Sequence, residues 1–93
     1  MTTEVRASHI LVKTENEANE LLEKINGGAN FDDLAAQFSL CPSGAAGGDL
    51  GFFPKGVMVK EFEDAAFSME KGEVSKPVQT QFGWHLIKLT DKG

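Results

Sequence analysis

Glu4–Lys13, EVRASHILVK, alternates along the chain: Val5, Ala7, His9 and Leu11 fall on one side, and Arg6, Ser8, Ile10 and Val12 on the other. Both sides carry apolar residues, which predicts a strand covered on both faces, with His9 turned towards an interior beside Ala7 and Leu11. The period then changes. Thr14-Glu15-Asn16-Glu17 has the form of a capping box. Ala18, Leu21, Leu22 and Ile25 follow at helical spacing until Gly27-Gly28 ends the helix with residues that tolerate positive φ. Asn30 is placed to cap a second helix, whose inner stripe is Phe31, Leu34, Ala35 and Phe38.

Ser39–Asp49, SLCPSGAAGGD, reads as a loop and holds Cys41. From Gly47 the pattern predicts a tight turn, a short aromatic strand broken at Pro54-Lys55-Gly56, and a third helix starting close to Val57. On that helix Met58 and Phe62 are one turn apart on the same face, and Val59, Phe62, Ala66 and Met69 form the inner stripe. Glu61, Glu63 and Asp64 fall on its wetter side, and Lys71-Gly72 closes it. An aromatic strand with Leu50 and Phe53 opposite Met58 and Phe62 predicts a small apolar pocket. Val74–Thr80 is a short strand that Pro77 confines to an edge or to a strand start. After a turn at Phe82-Gly83, Trp84–Thr90 alternates again, with His85, Ile87 and Leu89 on one face and Trp84, Leu86 and Lys88 on the other. The sum is one α+β domain whose terminal strands could lie side by side at the centre of the sheet, an order the periodicity leaves open.

Composition narrows the function. With 93 residues the chain has room for one core, and no apolar run nears the roughly 18 residues of a membrane span. The polar opening Met1-Thr2-Thr3-Glu4-Val5-Arg6 lacks the apolar core of a signal peptide, so the expectation is a cytoplasmic protein, unless the chain is a module of a longer secreted one. A net charge of −5 without a Lys/Arg cluster argues against nucleic acid as a partner. The single cysteine, Cys41, excludes an internal disulfide and any multi-cysteine zinc motif, and a free thiol suits a reducing compartment.

The two histidines, His9 and His85, sit in strands at opposite ends of the chain, each on a face with aliphatic neighbours. If those strands pair, the rings meet in the interior, where each nitrogen needs a partner. Ser8 lies on the wrong face, so Thr80 and Cys41 are the better candidates. A single such histidine is more often a satisfied core residue. Two histidines with a thiol raise sharper options. Cys with two His is a legitimate zinc set, but the local spacings of zinc sites are missing. A Cys/His hydrolase would need an oxyanion hole and an orienting third group, and the Cys41 loop carries no signature of one. The third option is a non-covalent site, in which a polar cluster shapes and polarises a pocket.

Several pieces, in order, resemble the parvulin family of peptidyl-prolyl cis/trans isomerases: SHILVK at Ser8–Lys13, NFDDLAAQFS at Asn30–Ser39, CPSG at Cys41–Gly44, GGDLGFF at Gly47–Phe53, Met58 and Phe62 running into FEDAAF, GEVSKPV at Gly72–Val78, and TQFGWHLIKL at Thr80–Leu89. The resemblance runs from Val5 to Leu89 and treats residues 1–93 as a single rotamase domain of the PpiC type. It implies a parvulin-like (FKBP-like) fold, a four-stranded antiparallel sheet flanked by helices in the order β-α-α-β-α-β-β, with the first and last strands central. By position, the family's sheet histidines fall on His9 and His85, its thiol or acid on Cys41 and its hydroxyl on Thr80. Its proline pocket falls on Met58 and Phe62, with Leu50 and Phe53 beside them and Phe82 at the rim.

The activity so implied is non-covalent rotation about Xaa-Pro bonds, needing no cofactor and no metal, by a monomer acting on proline-containing polypeptides and assisting their folding. Relatives that favour phosphorylated Ser/Thr before proline carry basic residues in a long loop after the first strand. Here Lys13 is followed by the short, acidic TENEANE, so the expected substrates are unphosphorylated, with apolar or basic residues before proline. The competing expectation is a proline-directed peptide-binding or chaperone module with little turnover.

Overall fold

The computed structural model describes residues 3–93; Met1 and Thr2, where the polar opening was read, lie outside the described residues. The alternation near the N-terminus becomes β1 (Glu4–Val12), and the last alternating segment becomes β4 (Gly83–Lys92). With β2 (Asp49–Pro54) and β3 (Val78–Thr80) they form an antiparallel sheet of order β2-β1-β4-β3, so the two chain ends supply its centre. β3 is shorter than its sequence suggested. Pro77 has no amide hydrogen to enter the ladder, and β3 starts one residue later at the sheet edge.

The helices divide between the two sheet faces, as the double alternation of β1 requires. Ile10, Val12 and Leu86 pack against Ala18 and Leu21 of α1 (Glu15–Asn26) and Phe31, Leu34 and Ala35 of α2 (Phe31–Phe38). Val5, Ala7, Ile87 and Leu89 pack on the other side against Phe53 and against Phe62, Ala66 and Met69, which lie on or just after α3 (Lys60–Ser68). Both early helices are capped as their residues predict. Thr14 Oγ1 accepts from Glu17 N at 3.2 Å, and Asn30 Oδ1 accepts from Asp33 N at 3.1 Å.

Four details differ from the sequence reading, the first being that the third helix ends at Ser68, with Met69 extended at its C-cap, and not at Lys71-Gly72. Phe38, placed on the buried stripe, is 43% exposed at the end of its helix and lies under the Lys24 ammonium at 5.3 Å. Only Gly28 of the Gly27-Gly28 pair takes a positive φ, at 107°. The third helix begins at Lys60 and not near Val57, because Val59 is extended (φ −60°, ψ 150°) and Glu63 reaches back to accept from Gly56 N in the preceding turn. Met58 is therefore in the approach to the helix and shares no helical face with Phe62.

The Cys41 loop contains a short 3₁₀ helix, Pro42–Ala46, and is tied down at both ends to β1. Ser39 Oγ accepts from Leu11 N at 3.1 Å, and Leu40 N donates to Leu11 O at 2.8 Å. At the far end His9 N donates to Gly48 O at 3.0 Å, and Gly48 N donates to Ser43 O at 2.8 Å. Gly48 has φ +81°, and a Cβ there would collide with the carbonyl oxygen of His9. Gly48→Ala is therefore expected to destabilise the fold by at least about 2 kcal/mol, read as a lower urea midpoint, through backbone strain and overpacking together. An unchanged midpoint would show that the loop is not held against β1 in this way. Asp49, next in line, fastens the start of β2: its carboxylate accepts from Arg6 Nε at 3.2 Å and Nη2 at 2.6 Å, and from Gly51 N at 3.0 Å. The Arg6 hydrogen bond keeps the Asp49 carboxyl below the usual carboxylate range.

Candidate active site

The register of the central pair decides what happens to the two histidines. Leu11 stands opposite His85 and His9 opposite Ile87, so His9 and His85 are diagonal neighbours on one face. Their rings stack with centroids 5.1 Å apart and 16° between planes, and Nδ1 faces Nδ1 at 2.9 Å. Both residues are buried. The remaining nitrogens are partnered as well. His85 Nε2 meets Thr80 Oγ1 at 2.7 Å, and His9 Nε2 meets Ser43 Oγ at 3.2 Å. Ser43 Oγ in turn donates to Cys41 Sγ at 3.3 Å, and Thr80 Oγ1 accepts from Phe82 N at 3.2 Å.

One hydrogen fits between the two Nδ1 atoms, so the pair is stable with both imidazoles neutral. Burial pushes the His9 pKa down from 6.5 to about 4, with the neighbouring His85 adding to the effect. Burial lowers His85 in the same direction. At neutral pH the imidazole pair is polar but uncharged.

Above the imidazoles lies a cavity of about 510 Å³. His9, His85 and Cys41 are the lining residues with polar side chains, and the remaining lining residues are apolar. Phe62 meets both imidazoles edge-on, at 5.5 Å from His9 and 5.4 Å from His85, so the aromatic wall and the polar floor are in direct contact. Leu50 and Met58 line the cavity beside Phe62, and Phe82 overhangs it from the turn before β4, 61% exposed.

Two sequence-derived site residues lie behind the surface. Phe53 does not line the cavity: it is buried and backs Phe62 at a centroid distance of 6.1 Å, because its side chain alternates into the α3 core. Thr80 is also behind the floor and reaches the cavity only through His85. Cys41 lines the cavity but touches the histidines only through Ser43.

Ser43 was missed because a serine in a Gly/Pro loop looks like any turn residue, and only the 3₁₀ helix turns it towards His9. Leu11, Leu40, Pro42, Val57 and Val59 also line the cavity without having been singled out. Leu11 and Val59 carried a signal, since Leu11 shares the His9 side of the β1 alternation and Val59 shares the inner stripe read for Phe62.

The family model described as a PPIC-type PPIase domain matches residues 1–93. The foldase protein PrsA of Geobacillus sp. (strain WCH70) is 55% identical over 89 residues, covering 95% of this chain and 32% of the relative. The chain thus spans about a third of the length of the curated relatives it matches. Among solved structures, the peptidylprolyl isomerase PrsA of Bacillus anthracis superposes with a TM-score of 0.97 at 49% identity, over 99% of this chain and 43% of that one. The parvulin NmPin of Nitrosopumilus maritimus superposes with a TM-score of 0.87 at 44% identity, over 97% of this chain and 98% of that one. A four-stranded antiparallel sheet with terminal strands at its centre, three helices and a match along the whole sequence lead to one assignment: the chain belongs to the PPIC-type peptidyl-prolyl isomerases, the parvulins.

Proposed function

We propose that this chain catalyses cis/trans rotation about Xaa-Pro bonds of unphosphorylated polypeptides without covalent chemistry, and so assists their folding. The observation that carries the reading is an apolar cavity floored by two neutral, mutually bonded imidazoles, with neither Lys nor Arg among its described lining residues.

Rotation about a peptide bond meets a barrier of about 18–20 kcal/mol, set by the partial double bond, and uncatalysed Xaa-Pro exchange takes tens of seconds or more. No bond has to form or break. The catalyst need only hold the twisted amide more tightly than either planar form, and each ~1.4 kcal/mol of difference gives about tenfold. Twisting reduces charge on the carbonyl oxygen and localises a lone pair on nitrogen. Water bonded to a planar carbonyl resists that change, so a water-poor pocket favours it. In this reading Leu50, Met58 and Phe62 hold the pyrrolidine ring while the other side of the bond turns. Phe53 supports Phe62 from behind, and Phe82 closes over the rim. His9 and His85, backed by Thr80, supply an uncharged hydrogen-bonding floor that does not draw water into the site, and Cys41 lines the cavity beside them.

The same proposal places the protein as a monomer in the cytoplasm, a setting that suits the free, partly buried Cys41 thiol. Fractionation of the source cells and sedimentation of the purified chain test these two points. A second reading, a holder of extended chains with little turnover, is favoured by the exposure of Leu40 (55%) and Val57 (63%) around the cavity.

Two-dimensional exchange NMR on Xaa-Pro peptides tests the proposal. Peptides with apolar residues before proline should exchange faster on addition of the protein. The phosphoserine peptide should gain at least about tenfold less, since neither Lys nor Arg is among the described residues lining the cavity and the helix that follows β1 opens with the acidic Glu15 and Glu17. Unaltered exchange for every peptide would defeat the isomerase reading.

A further inference from the structure

Met58 and Phe62 reach the cavity from two differently built pieces of chain. Phe62 is fixed by α3 and the core beneath it, whereas residues 55–59 cross from β2 to α3 with neither strand nor helix to hold them. That crossing supplies three lining residues, Val57, Met58 and Val59. Residues 55–57 are exposed and Met58 is only half-buried, so packing does little to fix the segment. Its backbone bonds must then be accounted for. Among the described residues, 55–58 make one hydrogen bond, from Gly56 N to the Glu63 carboxylate. Glu63 N in turn donates to Val59 O at 2.9 Å. One residue of α3 therefore holds the crossing on both sides of Val57 and Met58. One turn further along the same side of the helix, the Phe67 ring carries the Lys55 ammonium at 5.4 Å and rests edge-on against Phe53 at 6.2 Å.

Resting on the isomerase reading, we infer that Glu63 is a positioning residue that clamps residues 56–59 to the first turn of α3 and so keeps Met58 beside Phe62 at the cavity. Glu63 is absent from the cavity lining, so it acts on substrate only through the segment it holds. Its neighbour Phe62 and its client Met58 are both lining residues, which ties one wall of the cavity to the placing of another. Without the clamp the crossing samples other positions, and only the fraction of molecules with Met58 in place is ready to grip a proline ring. Apparent affinity falls by that fraction, while a complex formed with Met58 in place reacts as before. The clamp therefore governs KM and leaves kcat nearly untouched.

NMR of the substrate-free protein, labelled at the methionine methyls and the backbone amides, reads the clamp directly. In the wild type the Met58 methyl should be ordered, and the Gly56 amide should be protected from solvent exchange. Glu63→Ala should loosen the methyl, expose the amide and raise KM for an Xaa-Pro peptide about tenfold, with kcat within about twofold. Glu63→Gln keeps an acceptor oxygen and should restore all three. Glu61→Ala removes an exposed carboxylate from the same turn and should match the wild type, which separates the clamp from a loss of charge. A wild-type Gly56 amide that exchanges as freely as an unfolded chain would overturn the inference even if Glu63→Ala failed to fold. So would a Glu63→Ala protein with unchanged Met58 motion and KM, or a Glu63→Gln protein as impaired as the alanine variant. Should the clamp behave as expected while no Xaa-Pro peptide exchanges faster, the isomerase reading would fall and Glu63's hold on Met58 would stand.

Discussion

Phe62→Ala is expected to remove measurable acceleration of Xaa-Pro exchange and to cost about 3–5 kcal/mol of stability, the range for deleting a buried aromatic ring. The two losses share a cause. Phe62 is 3% exposed, packs on Phe53 within the α3 core, and presents its edge to both histidines. Removing the ring opens the core and takes away the wall against which a proline ring would rest. Phe62→Leu separates the effects. It keeps most of the buried volume, so it should cost less than about 2 kcal/mol while still lowering the isomerisation rate, because a flat surface for the ring is gone. Exchange NMR and urea unfolding on both variants give the comparison. A Phe62→Leu protein with wild-type rate would show that the cavity wall does not grip the substrate, whereas a Phe62→Ala protein that loses rate but still suppresses aggregation would favour the holding function.

Acid should undo the cluster from within. The His9 pKa is lowered to about 4 in the folded protein and stands near 6.5 in the unfolded chain. The unfolded state therefore takes up the proton first as pH falls, and stability is present above about 6.5, declines through the interval, and is fully lost below about 4. At ~1.4 kcal/mol per pKa unit the decline from this one residue amounts to roughly 3 kcal/mol. The downward shift of His85 acts in the same sense. In the folded state a second hydrogen between two Nδ1 atoms 2.9 Å apart forces them apart, so isomerisation should also fall as the pH approaches about 4. Urea unfolding at a series of pH values tests this against a His9→Leu variant, in which the slope should flatten. Equal slopes for the two proteins would mean that His9 is already charged, or not buried as described.

The histidine pair shows how far the sequence reaches. Alternation put His9 and His85 on inward faces of two strands, and a sheet with those strands at its centre brings them together. Periodicity did as much for the two helices before the Cys41 loop, whose caps at Thr14 and Asn30 were legible because a cap is a local bond between residues a few positions apart. Family resemblance supplied the strand order that periodicity left open. Phe38 went wrong because a helical stripe says which way a side chain points, not whether anything covers the helix end.

Along the chain itself, then, the main elements and the facing of most of their residues were determined, since these follow from backbone geometry repeated over two or three or four positions. Tertiary structure alone decided that His9 meets His85 nitrogen to nitrogen, that Ser43 stands between His9 and Cys41, that Phe53 backs the cavity without entering it, and that Met58 reaches it from outside the helix. The reason is one of distance. His9 and His85 are 76 positions apart and His9 and Ser43 are 34 apart, and contacts so remote depend on register and loop anchoring that no local pattern encodes.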